Sequence, residues 1–266
     1  MSNRLQGKIA LITGAGSVGP GWGNGRAMTV RFAQEGAQVY AADIDQGRLD
    51  ETLTYAGDAV TQIKTGIVDV MQSASIERMV QDCIEKFGRI DILVNNVGGS
   101  AKGGPVEMSE EVWDTQVDYN LKSVFLTCKY ALPHMIAQGS GAIINMASTS
   151  GTRWTGSAQI AYAATKAGII QFSKVLAVQY AKQSIRVNTI VPGQLHTPMV
   201  ETRLAKQRTG GDVSAILEQR QARIPLPFMG DGMDTANAAV FLASDEARFI
   251  TGTEIVVDGG MSAKCD

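Results

Sequence analysis

The feature that most limits the fold is an alternation of two kinds of segment. Short apolar runs rich in valine and isoleucine alternate with segments in which apolar residues recur every three or four positions. The runs predict strands, and most are apolar without alternation, which is typical of strands buried on both faces of a sheet. The strand candidates are residues 8–13, 37–43, 65–69, 90–96, 141–148, 185–191 and 253–259.

The segments between these runs have helical spacing. Repeated strand, helix, strand order predicts parallel strands, because each return crossing needs a helix. We therefore predict an α/β fold with one doubly wound parallel sheet of about seven strands and helices on both faces. No linker or repeat divides the 266 residues, so a single domain over 1–266 is expected. The helix candidates are residues 25–35, 72–87, 110–137, 159–181 and 234–243.

One segment departs from the alternation. Residues 198–228 are polar, contain a pair of glycines and lie between two strand candidates. Long insertions in compact domains are often lids, so we predict a helical flap that covers the substrate. A solvated connection is the alternative.

Composition favours a small-molecule partner. The net charge is -2 and no run of lysine and arginine occurs, which argues against nucleic acid or a membrane surface as the partner. No stretch approaches the roughly 20 apolar residues of a membrane span, and a signal peptide is not evident, so a cytoplasmic protein is expected. Cysteines at 83, 128 and 265 form no C-x-x-C pair, and with two histidines in the chain no metal site is expected.

The stretch "TGAGSVGPGWGNGRA", residues 13–27, follows the first strand. It contains a literal G-x-G-x-x-G at Gly14, Gly16 and Gly19. If this motif were the operative one, a helix would begin near Gly19 and include Gly21 and Gly23. Each glycine inside a helix lowers its stability by roughly 1 kcal/mol relative to alanine. A helix that begins near Asn24 or Gly25 and ends at Gly36 is the better prediction.

In that frame the loop resembles the T-G-x-x-x-G-x-G fingerprint of short-chain dehydrogenases/reductases, with Val18 to Trp22 as an insertion. A helix N-terminus offers unpaired N–H groups and partial positive charge to a pyrophosphate, and glycine lets the backbone approach closely. Trp22 either packs on the loop or caps an entrance. The predicted phosphate-binding residues are Gly14, Ser17, Gly23, Asn24 and Gly25.

Asp43 ends the second strand candidate, 18 residues beyond Gly25. Its carboxylate can accept hydrogen bonds from both ribose hydroxyls of an adenosine, and its charge would repel a 2′-phosphate. The next residues, Ile44 and Asp45, are not basic. NAD is therefore predicted over NADP, the alternative being a surface carboxylate at a strand end.

The catalytic prediction starts from Tyr162 and Lys166, which lie four residues apart on one face of a predicted helix. Tyrosine has an unperturbed pKa of about 10, and a nearby ammonium and a nicotinamide ring would stabilise its phenolate. The resemblance implies that Lys166 also binds the nicotinamide ribose. The pair predicts an acid/base centre for hydride transfer between an alcohol and NAD.

The resemblance adds two catalytic residues. Ser148 matches the serine that holds the substrate oxygen, although its spacing to Tyr162 leaves Thr149 and Ser150 open. Asn120 matches the asparagine of a proton relay through water, while a satisfied polar core residue is the alternative.

The resemblance extends over nearly the whole chain. It implies the strand order 3-2-1-4-5-6-7, a homotetramer, and a stabilising role for Asn95 in the central sheet. The further cofactor contacts it implies are Ile44, Asp69, Val70, Asn96, Val97, Gly98, Pro192, Gly193, Leu195 and Thr197.

The substrate is predicted to be small and polar, such as a sugar, a polyol or a hydroxy acid. Two other functions compete with this prediction. An NADPH-dependent ketone reductase, such as a 3-oxoacyl-thioester reductase, would need a cation around Asp43. A dinucleotide-binding protein without chemistry is disfavoured by the intact catalytic set. Candidate substrate residues are Ser100, Lys102, Arg153, Trp154, Gln194, His196, Met199 and Arg203.

Overall fold

Seven parallel strands form one sheet in the order β3-β2-β1-β4-β5-β6-β7, as predicted. The computed structural model describes residues 3–265, apart from the side chains at 207 and 208. Thr13 at the end of β1 pairs with Asn95 at the end of β4, and Asn95 pairs with Asn145 of β5, which continues one residue further. The strands are β1 (Ile9–Thr13), β2 (Gln38–Asp43), β3 (Ile63–Ile67), β4 (Ile92–Asn95), β5 (Gly141–Met146), β6 (Ile185–Pro192) and β7 (Glu254–Val257).

Helices connect the strands and cover both faces of the sheet. They are α1 (Asn24–Gln34), α2 (Gln46–Tyr55), α3 (Ser73–Phe87), α4 (Glu110–Val117), α5 (Ser123–Gln138), α6 (Ile160–Gln179), α7 (Ala205–Arg208), α8 (Val213–Gln221) and α9 (Gly232–Ala243). Alternate residues of each central strand face opposite sides. Leu11 packs with α3, α5 and α6, whereas Ile12 packs with α1 and α9. The α/β prediction is thereby confirmed.

Three details differ from the sequence prediction. Helix α2 was not predicted, because only Leu49 and Thr52 on it are buried and it has no apolar stripe. The third strand lies at Ile63–Ile67, shifted by two residues towards the N-terminus from the predicted range 65–69. The predicted helix over 110–137 is interrupted by a π-helical turn at Asp118–Lys122.

The segment 198–228 carries its own helices. A π-helical turn at Val200–Leu204 precedes α7 and α8. Val200, Ala205 and Ile216 form a small apolar cluster separate from the two main cores. We call residues 198–228 the flap.

Two sequence features can be compared with the described helices: the length of the apolar stretches and the position of Cys83. Between residues 3 and 265, no helix is both long and apolar enough to cross a membrane. Cys83 lies within α3, and its side chain is buried in the core.

Candidate active site

A cavity of about 340 Å³ lies beyond the C-terminal ends of the strands. The loops after β1 to β6 and the flap line it. In doubly wound sheets this crevice is where ligands bind, since the strand order reverses there.

The glycine loop forms one wall of the cavity. Helix α1 begins at Asn24, and Gly23 before it gives no side-chain cap, so the first N–H groups of the helix are left for a ligand. A Cβ on Gly25 would overlap the carbonyl oxygen of Gly14, and Gly14 itself has φ +65°. Both positions therefore require glycine. Ser17, Gly23, Asn24 and Gly25 line the cavity, and this wall fits a pyrophosphate.

The insertion Val18–Trp22 is fixed from beneath by Arg26. The buried guanidinium donates hydrogen bonds to the carbonyl oxygens of Gly19 (3.2 Å) and Gly21 (2.9 Å). It also pairs with Glu51 at 2.6 Å and lies 4.5 Å from the ring centre of Tyr55. A charged group this deeply buried needs several partners, and these contacts provide them.

Tyr55 of α2 holds the same insertion from the side. Its hydroxyl accepts a hydrogen bond from the Gly21 N–H at 2.9 Å. Trp22 packs edge-on against the Tyr55 ring, with the ring centres 5.0 Å apart. Trp22 is absent from the cavity lining among the described residues, which favours the packing role that the sequence left open.

Asp43 lies at the end of β2, and its side chain faces the glycine loop. Its Oδ2 accepts from the Gly16 N–H at 2.9 Å, and its Oδ1 accepts from the Asp45 N–H at 3.2 Å. A Cβ on Gly16 would lie 2.6 Å from the Cβ of Arg48. Gly16 thus also belongs to the glycine-loop wall of the cavity, although it is not among the predicted phosphate-binding residues.

Arg48 lines the cavity beside Asp43, and sequence reasoning missed it. Its Nε lies 3.5 Å from Oδ2 of Asp45. The first turn of α2 brings residue 48 back towards the end of β2. Without a predicted α2, nothing in the sequence placed this cation at the end of β2.

The loops after β2, β3 and β4 complete this side of the cavity. Ile44, Asp69 and Val70 line the cavity as expected, together with Val68 and Met71. Asn96 donates from Nδ2 to the carbonyl oxygen of Gly14 at 2.9 Å, which joins the two loops. Val97 and Gly98 follow in the lining.

Asn95 lies inside the sheet, where the sequence placed it. Its Nδ2 donates to Oδ1 of Asn145 at 2.8 Å, and its Oδ1 accepts from the Thr127 hydroxyl at 2.6 Å. These bonds tie β4 to β5 and α5 directly below the cavity.

Tyr162 and Lys166 line the cavity from α6. The Nζ of Lys166 lies 5.7 Å from the centre of the Tyr162 ring and donates to the carbonyl oxygen of Met146 at 2.7 Å. Lys166 is 2 % exposed, and burial lowers its pKa to about 7. A Cβ on Gly98 would lie 2.9 Å from this Nζ, so glycine leaves the space in front of the ammonium open.

Ser148 follows β5 and caps the short helical turn Thr149–Gly151. Its Oγ accepts from the Ser150 N–H at 3.2 Å. The Ser150 hydroxyl, by contrast, is engaged by Oγ1 of Thr155 at 3.1 Å and by Nε2 of Gln159 at 2.7 Å. Of the two serines, Ser148 is the better placed to donate to a substrate oxygen.

Asn120 is completely buried in the π-helical turn. Its Oδ1 accepts from the Gly99 N–H at 3.0 Å, and its Nδ2 donates to the Gly99 carbonyl oxygen at 3.1 Å. A Cβ on Gly98 would lie 3.1 Å from the same Oδ1, so Asn120 and Lys166 flank one glycine. Such π-turns are frequent at functional sites, and no sequence pattern revealed this one.

The loop after β6 forms the last wall. Pro192, Gly193, Leu195 and Thr197 line the cavity. Of the substrate candidates, the structure brings four to the cavity: Ser100, Gln194, Met199 and Arg203.

The other substrate candidates lie outside the cavity. The Nη1 of Arg153 lies 3.5 Å from the carbonyl oxygen of Lys264, and Trp154 is 74 % exposed. His196 pairs with Glu201 at 3.0 Å, and Lys102 is exposed. These side chains lie outside the cavity even where neighbouring residues line it, as Leu195 and Thr197 do beside His196. Spacing from a strand does not report which way a loop side chain points.

Further residues of the lining had no motif to mark them. Arg220 comes from α8, and its Nη2 donates to the Leu195 carbonyl oxygen at 3.0 Å. Over residues 3–265 no group of three His, Cys, Asp or Glu side chains could hold a metal ion. The missed lining residues include Gly16, Arg48, Val68, Met71, Tyr119, Thr155, Gln159 and Arg220.

The chain belongs to the short-chain dehydrogenase/reductase family. The family profile described as Enoyl-(Acyl carrier protein) reductase matches residues 20–262. A 3-oxoacyl-[acyl-carrier-protein] reductase of Thermotoga maritima is 40% identical over 97% of this chain and 99% of its own length. A 2,5-dichloro-2,5-cyclohexadiene-1,4-diol dehydrogenase of Sphingobium indicum is 39% identical, with 98% and 99% of the two chains covered.

Solved structures are similar over their whole length. A short-chain dehydrogenase/reductase structure from Burkholderia xenovorans is 61% identical with a TM-score of 0.95 and covers 99% of both chains. Levodione reductase is 34% identical with a TM-score of 0.90, over 97% of this chain and 99% of that one. The family uses nicotinamide cofactors, and the chain is an oxidoreductase of this family that acts on CH–OH groups.

Proposed function

We propose that the chain transfers a hydride reversibly between NAD(H) and a small polar secondary alcohol or its ketone. The observation that carries this proposal is that Tyr162, Lys166 and Ser148 line the same cavity as the glycine loop and Asp43. The bound nicotinamide supplies the hydride acceptor or donor.

Different residues of the cavity would bind the pyrophosphate, the adenosine and the nicotinamide ribose of the cofactor. The N-terminus of α1 at Asn24 and Gly25 binds the pyrophosphate, because its N–H groups lack a protein cap. Asp43 would accept hydrogen bonds from the hydroxyls of the adenosine ribose, and Val70 would contact the adenine. Lys166 binds the second ribose beside Gly98.

The chain's own residues would handle the proton. Tyr162 takes the hydroxyl proton of the alcohol at its phenolic oxygen, or returns it to the ketone. Lys166, when protonated, stabilises the phenolate by charge. Ser148 donates a hydrogen bond to the substrate oxygen and orients it. Asn120 fixes Gly99 next to Lys166, which supports the expected relay of protons to the lysine.

NAD is proposed over NADP because Asp43 carries a negative charge at the ribose. Its two oxygens are held by backbone N–H groups of Gly16 and Asp45, so the carboxylate cannot swing away easily. A 2′-phosphate would meet this charge at close range.

The test is kcat/KM with NAD+ and NADP+ for the wild type and for Asp43→Asn. Losing hydrogen bonds to a charged group costs about 1.5–3 kcal/mol, so we expect kcat/KM with NAD+ to fall by roughly 10- to 150-fold in the variant. The ratio of NAD+ to NADP+ turnover should fall with it. A wild type that prefers NADP+ would refute the cofactor assignment.

An NADPH-dependent reductase of 3-oxoacyl thioesters is the second candidate. Two observations favour it: Arg48 lines the cavity beside Asp43, and the Thermotoga relative is named as such a reductase. Arg48→Ala separates the two, because it should weaken NADPH only if the guanidinium serves a 2′-phosphate.

The substrate proposal is supported by the polar groups near Ser148. Ser150, Thr155, Gln159 and Gln194 line this end of the cavity. An NADH-fluorescence screen of sugars, polyols, hydroxy acids and cyclic alcohols would identify the class. Turnover of long-chain acyl thioesters alone would contradict it.

We also propose that the single domain assembles as a homotetramer. Phe125 of α5, with Val175 and Val178 of α6, expose apolar surface away from the cavity. Burying such surface between subunits would stabilise an oligomer. Sedimentation velocity of the purified protein gives the assembly size, and a monomer would exclude it.

A further inference from the structure

Arg203 reaches from the flap to the opposite wall of the cavity. It belongs to the π-helical turn Val200–Leu204, yet a Cβ on Gly99, after β4, would lie only 3.8 Å from its Nη1. The same Cβ would lie 3.4 Å from the Tyr119 ring, so the guanidinium and this ring flank Gly99 together. The flap therefore sends one cation across the space through which a dinucleotide must run.

Contacts on both sides of Arg203 locate that cation along the cavity: the neighbouring Thr202 lies against Gly19 of the glycine loop, and the guanidinium lies beside Gly99. Burial raises the pKa of Tyr119, Asp43 adds to the rise, and Arg203 and Arg48 oppose it. Asp43 and Arg48 mark the adenosine end, whereas Gly99 adjoins Gly98 at the catalytic end. Arg203 thus lies between the glycine loop and the catalytic end, where the middle of a bound dinucleotide, its pyrophosphate, would run.

No acidic side chain accounts for Arg203 within the structure. Among residues 3–265, no hydrogen bond or ion pair to an acid is found for its guanidinium, whereas Arg48 has Asp45 and Arg26 has Glu51. An arginine that lines a cavity without a protein anion is suited to an anionic ligand, since its planar fork matches phosphate oxygens.

The insertion in the glycine loop supports the flap at this point. A Cβ on Gly19 would lie 3.3 Å from Cγ2 of Thr202 and 3.4 Å from Cβ of Pro198. The Thr202 hydroxyl donates to the Pro198 carbonyl oxygen at 3.0 Å, which holds the turn together. Arg26 donates a hydrogen bond to the Gly19 carbonyl oxygen and holds Gly19 in place. Thr202, the neighbour of Arg203, therefore packs against a fixed part of the loop.

We propose that Arg203 binds the pyrophosphate of the dinucleotide from the flap side, and that the insertion Val18–Trp22 is the seat that holds it there. The inference rests on the proposed function, because it takes a nicotinamide dinucleotide as the ligand. The pyrophosphate is then bound on two sides: by the N–H groups of α1 and by a charged side chain.

Binding of cofactor fragments tests this role without turnover. ADP-ribose carries the pyrophosphate and adenosine carries no phosphate, so calorimetric titration of both separates the two ends of the cavity. We expect Arg203→Ala to weaken ADP-ribose and NADH about tenfold, the size of one charge-assisted hydrogen bond, and to leave adenosine unchanged. Arg203→Lys should retain part of the affinity. Lys206→Ala is the matched control, because it removes an exposed cation from the same flap outside the cavity lining.

Gly19→Val tests whether the insertion Val18–Trp22 positions Arg203, because the added valine side chain would clash with Thr202 and Pro198. The variant should also weaken ADP-ribose, and combined with Arg203→Ala it should add little, because both changes remove one interaction. Far-UV circular dichroism and the melting temperature verify that each variant folds. Independent, additive losses would show that the insertion does not act through Arg203.

The outcomes separate the two proposals. If wild-type protein binds neither ADP-ribose nor NADH, both the proposed function and this role are overturned. If the wild type binds both and Arg203→Ala matches Lys206→Ala, only the role of Arg203 is overturned. An Arg203→Ala variant that loses affinity only for anionic substrates, or only for the 2′-phosphate of NADPH, equally refutes the pyrophosphate contact.

Discussion

Two walls of the cavity, one at the glycine loop and one at the flap, are built differently. At the glycine-loop end, backbone groups form the wall, and close contacts such as Gly25 against Gly14 leave no room for another residue. At the flap end, side chains on segments outside the sheet form the wall, and Arg203 and Met199 are examples. A wall made of backbone depends on glycines at fixed spacings. A wall made of side chains tolerates many sequences, which suits a region that adapts to different substrates.

The largest expected effect separates chemistry from cofactor binding. Tyr162→Phe removes the phenolic oxygen to which the proposed function assigns the proton exchange, and it leaves the glycine loop unchanged. We expect kcat to fall about 10³-fold, within the range for general acid/base catalysis. NADH affinity, measured by fluorescence titration, should stay within about twofold of wild type, since no ring atom is lost. Near-native turnover would remove Tyr162 from the mechanism.

The next change tests the backbone wall itself. Gly25→Ala would push a Cβ into the Gly14 carbonyl oxygen, so the free energy of unfolding should fall by about 2 kcal/mol, as for an overpacked core. NADH binding should weaken with it. Gly23→Ala is the control: its Cβ would meet the rotatable Ser17 side chain at 2.9 Å, and about 1 kcal/mol or less should be lost. Urea titrations measure both, and equal losses would contradict the difference.

A pH series tests Lys166, the buried lysine that lies beside Tyr162. Burial lowers the pKa of Lys166 to about 7 from 10.5, so between these values the unfolded chain binds a proton that the folded chain has released. The free energy of unfolding of the cofactor-free wild type should therefore rise with pH relative to Lys166→Met. The rise is at most about 1.4 kcal/mol per pH unit and flattens below pH 7. A constant difference from pH 7 to 9.5 in urea titrations would mean that the amine does not titrate there.

The smallest effect concerns the rim of the substrate end. Trp154 is exposed and outside the cavity, so Trp154→Ala should change KM by less than about twofold, as exposed positions usually do. Steady-state kinetics with the best substrate from the screen would measure it. A tenfold increase would mean that the loop closes over the cavity when substrate binds.

The outcome of the sequence predictions follows the same division. Asp43, Gly14 and Lys166 were predicted from short motifs, and all three line the cavity. Motifs worked there because a strand end, a glycine turn and a helix N-terminus are local structures whose residue requirements appear in adjacent positions. Whether each residue performs its assigned role remains a prediction.

The substrate end was predicted less well. Ser100, Gln194 and Met199 line the cavity, whereas Trp154 and His196 do not. These residues lie in loops or, for Met199, at the start of the helical turn of the flap. The direction of such a segment depends on what it packs against elsewhere in the chain. Arg153 illustrates this, because its guanidinium donates to the carbonyl oxygen of Lys264, 111 residues away.

By itself the sequence determined the alternating order of strands and helices, the start of α1 at Asn24 and the spacing of Tyr162 and Lys166, because hydrophobic periodicity and backbone sterics act over a few residues. Only the tertiary structure decided that Arg48 returns to Asp43, that Arg26 supports the insertion, and that Arg203 crosses the cavity to Gly99. Those contacts join segments separated by up to about a hundred residues. They arise when the whole sheet and its helices pack, so no local pattern records them.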